Sequence, residues 1–186
     1  MTNLTNRAKE IIEKITYITI ASISKEGKPW NAPVFSAYDK DYIWQRAGKS
    51  RHGGICGERT KWKNVTRGDI FYNFYWGSYR DSQHSKNIGA NKNVFLVIYD
   101  STADAGTGEG VYIEATATEL KDSKEIELAH KLLQARHHVP YWKLEQVHGN
   151  GPIRLYRAKP KKVWMNSGEK INGNYIDVRV EIDLLK

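Results

Sequence analysis

Between Asn93 and Leu120 the chain sets two runs of β-formers against a loop, and this limits its fold more than any other feature. Asn93-Val94-Phe95-Leu96-Val97-Ile98-Tyr99-Asp100 is almost wholly apolar and reads as a strand buried on both faces. After the loop Ser101 to Thr107, Gly108 to Leu120 is long, and Val111, Ile113, Ala115 and Ala117 alternate with polar neighbours. Further strands read at Tyr17 to Ser24 and Pro29 to Tyr38, joined by the turn Lys25-Glu26-Gly27-Lys28. Pro33 predicts an edge or a bulge in the second of these. Ile70 to Trp76 and Tyr175 to Leu184 read as further strands, and Ile153 to Ala158 with Lys162 to Met165 is strand-like. Helices are predicted from Leu4, Ala8, Ile11, Ile12 and Ile15, over Ser82 to Ala90, and after Asp122, where Ile126, Ala129, Leu132 and Leu133 make a stripe. Six or seven strands in mostly antiparallel order with peripheral helices predict a mainly β (α+β) fold, a small antiparallel barrel.

One stretch breaks this rhythm. After the tight turn Asp39-Lys40-Asp41, residues 43–69 carry five glycines, many basic residues and no sustained period. Removing 43–72 joins Tyr42 to Asn73 and restores a short turn followed by a strand. Removing 42–71 gives the same sequence, because a tyrosine stands at both junctions. Residues 1–186 are therefore expected to form one domain with an insertion at about 43–72, at a hairpin tip, where a longer loop costs little to close. The alternative is a native long loop acting as a lid. This segment holds +5 of the formal net charge of +8, so the basic balance says little about the rest of the chain. No apolar run reaches the length of a membrane span, and the N-terminus lacks a signal-peptide pattern. Cys56 is the only cysteine, which excludes an intrachain disulfide. These features fit a reducing, cytoplasmic setting.

Tyr75-Trp76-Gly77-Ser78-Tyr79-Arg80-Asp81-Ser82-Gln83-His84-Ser85-Lys86-Asn87-Ile88 reads as a strand end, a polar loop and the first turn of a helix. A helix start presents free N–H groups and partial positive charge. Ser82 is expected as the N-cap, and with Ser85, Lys86 and Arg80 nearby the stretch is suited to cradle a phosphate. An ordinary capped surface helix is the alternative reading.

Four segments in this order carry a family resemblance: Ile18 to Ile23 with Gly27-Lys28-Pro29 and Ala32-Pro33-Val34; Phe74-Tyr75-Trp76 with Ser82 to Ile88; Asn91 to Val97; and Gly110 to Ala117. Together they resemble the pyridoxamine 5′-phosphate oxidase-related family of FMN-binding split β-barrels. The resemblance covers most of residues 8–121 outside the insertion, and more loosely Arg154 to Trp164. It implies a split β-barrel and a homodimer with FMN in grooves between subunits. It places Val34, Phe35 and Ser36 beside the flavin ring, and Trp76 and Ser78 by the ring and ribityl chain. Ser82, His84, Ser85 and Lys86 fall at the phosphate, and Trp164 against the ring from the partner subunit. Family members often carry two adjacent basic residues where this chain has Ser85-Lys86. The basic residues of the second strand and the C-terminal arginine motif of true pyridoxamine-phosphate oxidases are absent from Asn31 to Tyr38 and Val178 to Lys186. Both departures argue against vitamin B6 oxidation in particular.

The resulting expectation is an FMN-dependent oxidoreductase with a small-molecule substrate and a nicotinamide, NAD(P)H, as a candidate reductant; no catalytic residue is named. The alternatives are a non-catalytic flavin or haem carrier or sensor, a haem-degrading relative, and a deazaflavin in place of FMN. A nucleic-acid binder working through the basic insertion is the least favoured. The His137-His138 pair with His148 matches no common zinc spacing, so no metal site is expected. No base reads near Cys56, and Gly106 to Gly110 precedes a strand rather than joining strand to helix.

Overall fold

The structure, a computed structural model, describes residues 4–39, 72–137, 142–167, 170–172, 174–175 and 178–185. The predicted insertion lies outside these residues, apart from its last position, Tyr72, as do Cys56 and His138. α1 (Leu4–Lys14) leads into β1 (Tyr17–Ile23), and a turn with Gly27 at φ 79° returns the chain as β2 (Pro29–Tyr38). β3 (Phe74–Tyr79), α2 (Gln83–Ala90), β4 (Asn93–Tyr99) and β5 (Gly110–Glu119) follow. Next come α3 (Ser123–Arg136), α4 (Leu144–Val147) and the long β6 (Ile153–Ser167), and the chain ends in a short hairpin, β7 (Lys170–Ile171) with β8 (Asn174–Tyr175), and β9 (Val178–Ile182).

The sheet order is β3-β2-β1-β4-β5-β6-β9, every pair antiparallel, and β3 also pairs with β6. Six strands therefore close into a barrel, and β9 is an extra strand on the far half of β6. β3 pairs with β2 only at Ser36, Ala37 and Tyr38, so the Pro29 to Phe35 half of β2 is bonded on one side alone. Pro33, which has no N–H to give a ladder, sits in that half, as its sequence predicts. β6 turns from β3 to β9 across a bulge. Glu114 faces Lys162 and Ala115 faces Pro160, leaving Lys161 as the extra residue.

The barrel interior is filled by alternate residues, among them Ile18, Ile20, Val34, Phe74, Trp76, Leu96, Ile113 and Met165. α1 plugs one end with Ala8, Ile11 and Ile12, and carbonyls in its last turn and just beyond it are held from α3: Arg136 Nη2 donates to Ile12 O at 2.6 Å and Ile15 O at 2.7 Å. A second cluster lies outside the barrel, where Ile126, Ala129 and Leu133 of α3 cover Ala37, Tyr75 and Leu155. Asp122 caps α3, accepting from the N–H groups of Lys124 and Glu125. No helix among the described residues is long and apolar enough to cross a membrane.

Two sequence expectations are corrected. β4 is not buried on both faces: Val94, Leu96 and Ile98 are inside, while Phe95 and Val97 are half-buried on the outer face. An apolar run does not distinguish a doubly covered strand from one whose outer face carries aromatic and aliphatic groups. Tyr175 is not part of the last strand: it belongs to β8, which pairs with β7 in a two-stranded sheet of its own, whereas β9 pairs with β6 and ends at Ile182.

At the end of β2, Asp39 accepts from Asn73 N at 2.7 Å, Asn73 Nδ2 at 2.7 Å and the Tyr75 hydroxyl at 3.2 Å. Burial outweighs these donors and pushes its carboxyl up to about 6. Between the unfolded value of 3.8 and about 6 the folded state binds the extra proton, so stability falls as pH rises through that window. The loss at neutral pH is at most roughly 3 kcal/mol. Asp39→Asn is expected to flatten this slope in thermal melts between pH 4 and 7, and an unchanged slope would assign it to other groups.

Candidate cofactor site at the start of helix α2

β3 delivers the site. Its alternation turns Phe74, Trp76 and Ser78 to one side and Tyr75 and Gly77 to the other, and the chain then passes through Tyr79 to Ser82 into α2. Trp76 is fully buried and stacks on Tyr156, with ring centroids 5.6 Å apart and planes at 14°. Its Nε1 is the one buried side-chain nitrogen or oxygen among the described residues without a hydrogen-bond partner.

Four of the predicted residues converge. Ser82 Oγ is 3.0 Å from Ser78 Oγ, 2.8 Å from Ser85 Oγ and 3.3 Å from His84 Nε2. Ser85 Oγ donates to Tyr79 O at 3.0 Å. A hydroxyl has one hydrogen and two acceptor lone pairs. Ser85 gives its hydrogen to Tyr79 O, so Ser82 gives its own to Ser85. Ser78 then donates to Ser82, and so does His84 through Nε2–H. The assignment fixes the neutral His84 tautomer and saturates Ser82. Burial lowers the His84 pKa and favours that neutral ring. Burial likewise raises the Tyr156 phenol, opposed by its hydrogen bond to Ser85.

This corrects the expected N-cap. Ser82 occupies the N-cap position with φ −63° and ψ 151°, but its side chain makes no capping bond, because its hydroxyl is turned into the cluster. The first-turn N–H groups of α2 are left uncapped by it. The Lys86 and Arg80 side chains are exposed beside them, and neither side chain makes a hydrogen bond or ion pair with another described residue. The available donors are thus backbone N–H groups and two cations, rather than the serine hydroxyls.

The other predicted residues are not part of this cluster. The Val34 and Trp76 side chains face the barrel interior, so only their backbone is open to a ligand. Ser36 is buried and its N–H donates to Thr16 O at 2.9 Å. Phe35 is on the outer face, edge-on to His137 at 4.7 Å. Trp164 is on a different part of the barrel, stacked on Phe95 at 6.3 Å. Tyr156, beneath the cluster, was not foreseen; no local signal in Ile153 to Ala158 pairs it with Trp76, a contact made by the β3–β6 register.

Gly77 has a different neighbour. The Trp142 ring lies against it so closely that a Cβ would overlap the ring. The Trp142 carbonyl accepts from His130 Nε2 at 2.5 Å and Gln134 Nε2 at 3.2 Å, which fixes that ring over β3. Among the described residues, no group of His, Cys, Asp and Glu is placed to hold a metal ion.

No family model and no curated protein matches the chain. Solved structures do match. A candidate 5-nitroimidazole antibiotic resistance protein of Bacteroides thetaiotaomicron is similar at a TM-score of 0.59 and 10% identity, over 89% of this chain and 84% of that one. A candidate pyridoxamine 5′-phosphate oxidase of Listeria innocua gives 0.51 and 11%, over 87% and 96%. HutZ, the haem storage protein of Vibrio cholerae, gives 0.55 and 11%, over 87% and 94%. The chain has the split β-barrel fold of the pyridoxamine 5′-phosphate oxidase-related proteins; at these identities the likeness establishes the fold and no more.

Two outcomes follow from the geometry. Gly77→Ala is expected to displace Trp142 and cost about 1–3 kcal/mol in denaturant melts; a neutral result would mean the ring moves freely. In NMR titration His84 is expected as the Nε2–H tautomer, titrating below the free-imidazole value of about 6.5. The stability its neutral form contributes is then present above that pH and lost as pH falls. An Nδ1–H ring would overturn the hydroxyl assignment.

Proposed function

We propose that the protein binds FMN at the start of α2 and is a flavin-dependent oxidoreductase acting on a small molecule. The observation that carries this reading is the uncapped first turn of α2, flanked by exposed Lys86 and Arg80, in a split barrel. Anions are stabilised at such a turn by the N–H groups and the helix dipole, and a lysine adds a point charge. The donor set therefore fits a phosphate monoester, and Lys86 with the N–H groups of the first turn would hold it. The flavin, when bound, supplies the hydride or electron chemistry. Ser78, Ser82 and Ser85 act by holding the loop and the helix start in place rather than by spending their hydrogens on the ligand. NAD(P)H is the proposed reductant, and the cytoplasm the proposed location.

The same reading includes a homodimer. Half-buried Phe95, Tyr112 and Trp164 share the outer face of β4, β5 and β6, and the Arg179 guanidinium lies 4.0 Å from the Tyr112 ring centroid. A second copy covering this face would bring Trp164 to a ligand held by its partner, as the resemblance implies.

Haem is the second reading, favoured by neighbours such as HutZ, whose name describes haem storage. Against it, among the described histidines, His84, His130 and His148 each turn Nε2 to a partner in the chain, and His137 packs on Phe35. A carrier or sensor that holds flavin without turnover remains the alternative to an enzyme, and steady NAD(P)H consumption separates the two.

Lys86→Ala tests the phosphate assignment. It is expected to weaken FMN about tenfold, the worth of one charge-assisted hydrogen bond, and to leave riboflavin unchanged. Equal losses for both ligands would place Lys86 away from the phosphate.

A further inference from the structure

We infer that the β2–β3 pairing is fixed at the Asp39–Asn73 contact and that the fold does not need residues 42–71. β2 and β3 reach full register at Tyr38 opposite Phe74, and the next pair is Asp39 with Asn73. That pair is tied three times: Asp39 N donates to Asn73 O at 3.3 Å, and Asn73 N and Nδ2 each donate to the carboxylate at 2.7 Å; the Tyr75 hydroxyl adds a further bond to Asp39 at 3.2 Å. The strand ends are therefore fixed by groups on the barrel side of the junction.

Tyr72 belongs to the core. It is 8% exposed, and its ring centroid lies 5.8 Å from that of Tyr38. Joining Asp41 directly to Tyr72 keeps this ring and leaves Lys40, Asp41 and Tyr72 as a three-residue loop between Asp39 and Asn73. Three-residue loops are among the common hairpin connections, so the shortened chain can close without moving either strand. The site segment Trp76 to Ser78 begins three residues beyond the clamp, so its register is set by β2 and β6 and not by what lies between 42 and 71.

The test compares three versions of the full chain: wild type, a deletion of residues 42–71, and a replacement of 42–71 by Gly/Ser repeats of equal length. Thermal midpoints of all three are expected within about 3 °C. A fall of more than about 10 °C in both variants would overturn the inference; the replacement guards against a joint that is merely too tight. Asp39→Ala leaves three donors without an acceptor and is expected to lower the midpoint by about 5 °C or more in wild type and deletion alike. No effect in either would overturn the clamp. FMN affinity of the deletion, which rests on the cofactor reading above, is expected to equal that of wild type. If wild type binds no FMN, that reading fails, and the midpoints alone decide this inference.

Discussion

The pairing of β3 with β6 is the contact on which the rest of the molecule depends. Six residue pairs, from Phe74 with Ala158 to Tyr79 with Ile153, turn an open sheet into a barrel. They bring Trp76 over Tyr156, and Tyr156 beneath Ser85. They also place β3 so that its last residues pass straight into α2. The other edge of β3 touches β2 over only three residues, leaving the first half of β2 open. The split in the barrel and the exposed start of α2 are consequences of the same arrangement.

At that start the molecule separates two tasks. Ser78, Ser82, Ser85 and His84 satisfy one another and the Tyr79 carbonyl, so the loop is held by bonds internal to it. Backbone N–H groups, Lys86 and Arg80 are left for an anion. A buried polar network in which every hydrogen has an acceptor is rigid, and a partly satisfied one would be costly. Trp76 Nε1 is the exception nearby, a buried donor with no acceptor among the described residues.

Much of this was legible in the sequence. The period-two runs fixed β5 to within two residues, because Val111, Ile113, Ala115 and Ala117 each have polar neighbours. The Asp122 cap and the Ile126, Ala129, Leu133 stripe marked α3 for the same kind of local reason. The sides of β4 were misread, since a wholly apolar run carries no alternation to say which residues face in. The Ser82 position was right and its bonding was not: an N-cap serine caps by accepting a backbone N–H at its oxygen, and here Ser78 and His84 occupy that oxygen instead. Nothing local could give the Trp76–Tyr156 stack, the Trp142 contact with Gly77 or the Asp39 clamp. Each joins elements whose juxtaposition is set by strand register.

The central claim is flavin binding by the intact protein. It is tested most directly by titrating FMN into the purified chain and following the visible absorption and flavin fluorescence. The account predicts saturable changes with one flavin bound per chain. Absence of any saturable change, or a Soret band in the protein as purified, would contradict it.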